Sequence, residues 1–349
     1  MKVVESGRLL LPAGAVQARR FANENLLSVH RRRDRWLAAL VPPRLSGRPR
    51  DLDASPSELA MAGAEDEGVR RALEKCTASA SEWLLLRDYP GSERAKQVLF
   101  LFDGEQPAPY AVMKIRPLVS AGGSLERERD ALAAIRPRLP EPLRATLPEA
   151  LLYVRGDQAE LLVLSGVPGQ ALAISMQRSI RPHAAHTAHA ASAGAWLGSF
   201  HLATSDGPLR GRAIDRTAVH GDFWPRNVLG IDGRVSGVID WEKGEPAGPF
   251  WRDVFTFPLL FSIHPGTNAL AGFRRGFVAP GAARRAVAAW LEAYSRTAAI
   301  DFSTLRGLFE AFVVDSAHLA GKEGGWRTTI PWSELQRIID TAGRSVFSG

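Results

Sequence analysis

The apolar positions change period twice along the chain. Between residues 17 and 41, Leu26, Val29, Arg33, Trp36, Leu37 and Leu40 recur at three- and four-residue steps. That spacing predicts an amphipathic helix, stopped by Pro42-Pro43, whose polar side carries Arg31, Arg32, Arg33 and Arg35. Residues 43–68 read as a linker with opposed charge blocks, and 69–79 as a short helix. From 82 to 116 the pattern becomes that of strands. Apolar runs at 82–87, 95–102 and 110–115 are separated by the turn residues Pro90-Gly91-Ser92 and Asp103-Gly104. A helix is expected at 124–135, then short strands at 151–154 and 160–164. Beyond Gly169 the helical period dominates, at 184–203, 281–297, 303–320 and 332–343. Only residues 219–241 interrupt it, with short strands and a loop.

This order predicts an α+β chain. A small mixed sheet with one helix against it is followed by a mainly helical half, and a helical extension precedes both. The boundaries fall at 1–79 for the extension and linker, 80–168 for the strand-rich part, and 169–349 for the helical part.

Charge narrows the picture. The 44 Lys/Arg and 37 Asp/Glu of the 349 residues leave +7. Residues 1–50 alone hold eleven basic and three acidic residues, +8, so the other 299 sum to −1. The basicity is a local property, which argues against nucleic acid as the main partner. The arginine-rich helix is either a solvated face or a surface for an acidic partner or a lipid headgroup layer. The single cysteine, Cys76, excludes an intrachain disulfide framework and fits a reducing compartment. No run of 18 apolar residues predicts a transmembrane helix, and the first residues lack a signal-peptide pattern. A cytoplasmic location is expected.

The chemistry concentrates in Val219-His220-Gly221-Asp222-Phe223-Trp224-Pro225-Arg226-Asn227 and in Ile239-Asp240-Trp241-Glu242. Asp222 and Asn227 stand five residues apart on a proline-containing loop. Asp240 follows 18 residues after Asp222, at the end of an apolar strand. Mg2+ takes hard oxygen ligands, which Asn227 and Asp240 supply. Asp222 can accept the proton of a hydroxyl being phosphorylated. A lone Asp and Asn are common turn residues; the full spacing with the second motif is not explained that way.

These motifs resemble those of the aminoglycoside phosphotransferase and choline kinase superfamily, over residues 80–345. The resemblance implies a bilobal protein-kinase-like fold, with a nucleotide-binding N-lobe at 80–168 and a catalytic, acceptor-binding C-lobe at 169–349. It implies ATP and Mg2+ as cofactors, Asp222 as the catalytic aspartate, and Asn227 and Asp240 as metal ligands. His220 would buttress the loop, and Asp253 in Gly248-Pro249-Phe250-Trp251-Arg252-Asp253 would support the C-lobe. Lys114, in Ala111-Val112-Met113-Lys114-Ile115, would hold the α- and β-phosphates. Glu128 is the matching partner for its ammonium, with Glu126 as the rival. Gly91 and Ser92 either cover the nucleotide or form an ordinary hairpin; the loop has one glycine where protein kinases have three. The backbone of Leu164, Ser165 and Gly166 would meet the adenine edge.

The acceptor is expected to be a small molecule bearing a hydroxyl: a sugar, an aminoglycoside or an amino alcohol. Residues 254–349 hold seven acidic and ten basic residues, which favours a neutral or anionic acceptor over a polycation. The alternatives are a nucleotide-binding scaffold without catalysis, an antibiotic-resistance kinase in the narrow sense, and a protein kinase. The last lacks its Asp-Phe-Gly and Ala-Pro-Glu signatures here. His183, His186 and His189 recur every third residue and read as a solvated or capping face rather than a metal site. Trp251, Phe255, Phe257, Phe261, Phe273, Trp290, Trp326 and Trp332 read individually as core, and together as the material of an acceptor pocket.

Overall fold

The computed structural model describes residues 2–6, 9–26, 49–51, 55–61, 66–87, 96–118, 124–178, 182–207, 209–212, 215–263, 268–323 and 325–342. The expected arginine face at 31–35 and the Gly91-Ser92 turn lie outside these residues. The chain divides into two compact units. The first comprises 1–133, 146–170 and 236–243; the second comprises 134–145, 171–235 and 244–349. The α+β class holds.

The first unit is built on an eight-stranded sheet. Its strands are β1 (Lys2–Ser6), β2 (Leu9–Pro12), β3 (Pro49–Asp51), β4 (Glu82–Leu86), β5 (Gln97–Phe102), β6 (Ala111–Pro117), β7 (Ala150–Arg155) and β8 (Ala159–Ser165). Their order is β3-β1-β2-β4-β5-β6-β8-β7, and every adjacent pair is antiparallel. The five strands expected between 82 and 165 are present. The helical N-terminal segment is corrected in part: it opens with two strands, and among the described residues helix follows at Val16–Phe21 with a π-helical turn at Ala22–Leu26, the rest of the helix expected to residue 41 lying outside the described residues. The reason lies in Leu9-Leu10-Leu11. Leu10 enters the apolar cluster on one face of the sheet, while Leu9 and Leu11 enter the cluster on the other. A strand buried on both faces reads as a continuous apolar run and shows no alternation.

One face packs Trp83, Leu85, Leu99, Leu101, Met113 and Ile115 against Met61, Val69 and Leu73 from the helices Pro56–Ala60 and Glu67–Thr77. The first of these helices begins in a capping box, Ser55 with Glu58. The other face packs Leu84 and Phe102 against Ala15, Ala18 and Ala22. There the Glu82 carboxylate accepts from the amides of Val16 (3.0 Å) and Ala18 (2.9 Å), placing an anion at the start of the Val16–Phe21 helix.

The second unit centres on two long helices, Pro182–Thr204 and Ala282–Ala298. Their approach depends on missing side chains. A Cβ on Gly194 would lie 2.4 Å from the carbonyl oxygen of Trp290, and one on Gly198 would lie 2.9 Å from the Thr297 Cβ. Aromatic rings fill the interior: Phe257 stacks on Trp290 with centroids 4.2 Å apart, and Trp196 stacks on Phe200 and Phe223. Phe257 and Trp290 are core, as expected of them singly. Among the described residues no helix is long and apolar enough to cross a membrane.

Candidate functional site

The first unit contains a group of charged side chains on one sheet face. Lys114 sits in the middle of β6, opposite Val98 of β5 and Leu162 of β8. Its ammonium donates to both oxygens of Glu128, at 2.7 and 2.6 Å, and to Oδ1 of Asp240 at 2.7 Å. Lys114 is 6% exposed and Glu128 is fully buried. Burial works against the Lys114 charge, but the Asp240 and Glu128 carboxylates outweigh it and raise its pKa.

Glu128 reaches this position because of how its helix, Leu125–Ile135, is anchored. The buried Glu160 of β8 accepts from the Leu125 amide at 2.9 Å, from the Ser124 hydroxyl at 3.0 Å and from the Tyr153 hydroxyl at 3.0 Å. Helix geometry turns Glu126, two residues away, in another direction. Glu126 pairs with Arg129 at 3.2 Å and Arg155 at 3.4 Å, so the choice between Glu126 and Glu128 falls to Glu128.

Asp240 lies on the segment 236–243, which returns to the first unit. Its φ is +69°, a left-handed backbone that non-glycine residues adopt seldom and Asp more readily than most. The next residue, Trp241, is fully buried. Its amide donates to Glu128 Oε1 at 3.1 Å and its indole to the Val238 carbonyl at 2.9 Å. The indole thus anchors the turn that presents Asp240.

Sequence reasoning missed a further member, Lys96. Its ammonium lies 3.0 Å from Glu242 and 3.4 Å from Asp240 Oδ1. Burial opposes this charge too, and Asp240 and Glu242 more than offset it, raising the pKa. The available signal was alternation: extending the pattern of β5 back by one residue puts Lys96 on the face of Val98, hence of Lys114.

The second unit holds the His220–Asn227 loop. It follows the strand Arg216–Val219, which pairs with Glu245–Pro249. The loop is hung from Asp253, in the first turn of the Trp251–Ile263 helix. Both oxygens of this fully buried carboxylate are used: Oδ2 accepts from the His220 amide at 2.5 Å, and Oδ1 from the Gly221 amide at 2.9 Å. Burial raises the Asp253 pKa, opposed by His220 and the two amides. Gly221 has φ +76°, which glycine tolerates without strain.

His220 is fully buried, and its Nδ1 accepts from the Asp222 amide at 3.2 Å. The ring therefore braces the loop backbone. Asn227 Nδ2 donates to the Asp222 carbonyl at 3.0 Å, which orients the amide and leaves Oδ1 as its acceptor atom. Phe223 is driven into the aromatic interior, while Asp222 is only partly buried. Arg327, 1% exposed, approaches the Gly221 carbonyl at 3.5 Å from the turn Gly325–Thr329. No motif announced it.

Other expected groups fall differently. The amides of Ser165 and Gly166 donate to Glu149 (2.9 Å) and Tyr110 (2.8 Å) within the first unit. Adenine recognition through 164–166 would draw on other groups of that segment. His186 meets the Met176 carbonyl at 3.2 Å and packs edge-on to Phe261. Among the described residues no cluster of three His, Cys, Asp or Glu is placed to hold a metal. Mg2+ tolerates such a sparse set, since it is held by one or two carboxylates plus substrate phosphates and water. Asp240, partly exposed, is a carboxylate of that kind, and the two ammonium groups beside it would compete with a cation for its Oδ1.

Residues 209–290 match the family described as "Phosphotransferase enzyme family". That span contains His220, Asp222, Asn227, Asp240 and Asp253, the residues on which the sequence resemblance rests. No curated protein matches the chain. Among solved structures, the aminoglycoside-3'-phosphotransferase of type VIII is similar at 17% identity, with 68% of this chain and 97% of that one covered and a TM-score of 0.42. The streptomycin-ATP-APH(2")-IIa ternary complex is similar at 13% identity, 80% and 95% coverage and a TM-score of 0.45. The BubR1 kinase domain follows at 10% identity, 74% and 85% coverage and a TM-score of 0.41.

Proposed function

We propose that the protein is an ATP-dependent O-phosphotransferase that moves the γ-phosphoryl group onto a hydroxyl of a small molecule: a sugar, an aminoglycoside or an amino alcohol. The observation that carries the proposal is the setting of Lys114. Its ammonium is held at 2.6–2.7 Å by Glu128 and Asp240, two residues separately singled out by the resemblance. A lysine that merely lay along a strand would not need two carboxylates at that range.

In the proposed reaction the acceptor oxygen forms a bond to the γ-phosphorus as the bond to the bridging oxygen of ADP breaks. Asp222 accepts the hydroxyl proton. It can be oriented for this because its amide is tied to His220 and the preceding amides to Asp253. Lys114 neutralises the α- and β-phosphates, and Glu128 fixes where its charge sits. Asn227 and Asp240 would hold Mg2+, which supplies further neutralisation of phosphate charge when bound.

The test uses Asp222→Asn and a panel of hydroxyl-bearing acceptors with γ-labelled ATP. The wild type is expected to label at least one acceptor. The variant should lose transfer by about a hundredfold or more while binding Mg·ATP as before. Wild-type turnover in the variant would remove Asp222 from the mechanism. Absence of any nucleotide binding in the wild type would end the proposal.

A further inference from the structure

The charged group on the β5–β6 face has two halves. The inner half is Lys114 with Glu128, whose side chains are 8% and 0% exposed. The outer half is Lys96 with Asp240 and Glu242, at 22%, 30% and 36%. Glu128 spends both oxygens on Lys114. Glu128 therefore acts on Lys96 only through longer-range attraction, and the direct partners of Lys96 are the two carboxylates that solvent also reaches.

Asp240 Oδ1 is shared unequally: Lys114 stands at 2.7 Å and Lys96 at 3.4 Å. A divalent cation arriving at this carboxylate meets two like charges, and one must withdraw. The longer contact is the weaker, and Lys96 is also the more exposed. Its displaced ammonium, on a flexible four-carbon stem, then needs a new anion. A nucleotide that accompanies the cation brings several.

Resting on the phosphotransferase reading, we infer that Lys96 is a second phosphate-binding residue: it exchanges Asp240 and Glu242 for the nucleotide's phosphates when the cation takes Asp240. Until then it keeps the outer carboxylates compensated. The two lysines act on one sheet face in different ways, Lys114 as a fixed charge and Lys96 as an exchanging one.

Lys96→Met keeps the length and removes the charge, and Lys96→Arg restores a charge. Each purified protein is titrated with ATP at fixed Mg2+ and, separately, with adenosine, with binding read by calorimetry or competition. Adenosine should bind all three proteins alike. ATP should bind Lys96→Met about tenfold or more weakly and Lys96→Arg within about threefold of wild type. Unchanged ATP affinity in Lys96→Met overturns the inference. A parallel loss of adenosine and ATP overturns it too, since a lysine that only supports the fold would give that result. A wild type that binds adenosine but not ATP defeats both this inference and the phosphotransferase reading, so the two failures are told apart.

Discussion

Replacing His201 with Gln should flatten the acid side of the stability curve. His201 is fully buried in the Pro182–Thr204 helix, between Phe200, Phe250 and Tyr294. Its Nδ1 pairs with the Tyr294 hydroxyl at 2.9 Å, and its Nε2 has no hydrogen-bond partner among the described residues. A proton there would place a charge in an apolar site, and burial pushes the imidazole pKa from the ordinary 6.5 down to about 3. The unfolded chain takes up this proton near pH 6.5 and the folded chain does not. The stability tied to neutral His201 is thus present above pH 6.5 and lost progressively as pH falls toward the folded pKa. From pH 7 to pH 5 the loss is about 2 kcal/mol, insensitive to the folded value so long as it lies well below 5. With a urea slope of about 2 kcal/mol per molar, the wild-type midpoint falls by about 1 M more than that of His201→Gln over this range. Urea unfolding followed by circular dichroism at pH 7, 6 and 5 measures it. Parallel pH dependence in the two proteins, or an NMR titration of the folded imidazole near pH 6.5, would refute the reasoning.

Gly194→Ala should lower the melting temperature, because the new Cβ meets the Trp290 carbonyl oxygen and forces the two long helices apart at a cost of about 1–3 kcal/mol. Gly207→Ala, with nothing within 4 Å, is the silent control, and equal melting temperatures would contradict the packing described. Asp253→Asn should cut phosphoryl transfer more than nucleotide binding and destabilise by about 2–4 kcal/mol, because the loop amides bond to separate carboxylate oxygens and the NH2 that replaces one of them donates instead of accepting; calorimetry and a transfer assay on one preparation check both. Asp66 is held below the usual carboxylate range, chiefly by the Gln158 amide, opposed by burial and helped by Val69. Its contribution is present above pH 3.8 and lost as pH falls through the lowered folded pKa, so the stability gap between wild type and Asp66→Asn should narrow on acidification. A gap constant from pH 7 to pH 3 would count against this pairing.

What could be read from the sequence was whatever depends on short-range pattern. The strands from 82 to 165 announced themselves through apolar runs between turn residues, and the loop from His220 to Asn227 through spacing. The Lys114–Glu128 pair was suggested by the family resemblance, and the rival Glu126 could be dismissed only once the capping by Glu160 fixed the helix rotation. Three things were not legible. Leu9–Leu11 lacks alternation because both its faces are buried. Lys96 looks like any polar residue at the start of a strand until Asp240 and Glu242 are brought beside it. Arg327 acts across 106 residues on the Gly221 carbonyl, and no local pattern encodes such a separation.

The return of residues 236–243 to the first unit bears on how the chain is made. Lys114 and Glu128 leave the ribosome 14 residues apart, but Asp240 follows Lys114 by 126. During synthesis, the sheet therefore emerges long before its last carboxylates. Through that interval Glu128 is the only carboxylate of the group available to Lys114, Lys96 has neither of its partners, and the amide of Trp241 has yet to reach Glu128. The first unit cannot mature as an autonomous N-terminal folding block, because completing it requires chain that lies beyond the His220–Asn227 loop. Nascent chains stalled before residue 236 should accordingly hold a sheet more readily opened by protease than the finished protein. The charged face is then completed only after the loop whose chemistry it is proposed to serve has already been synthesised.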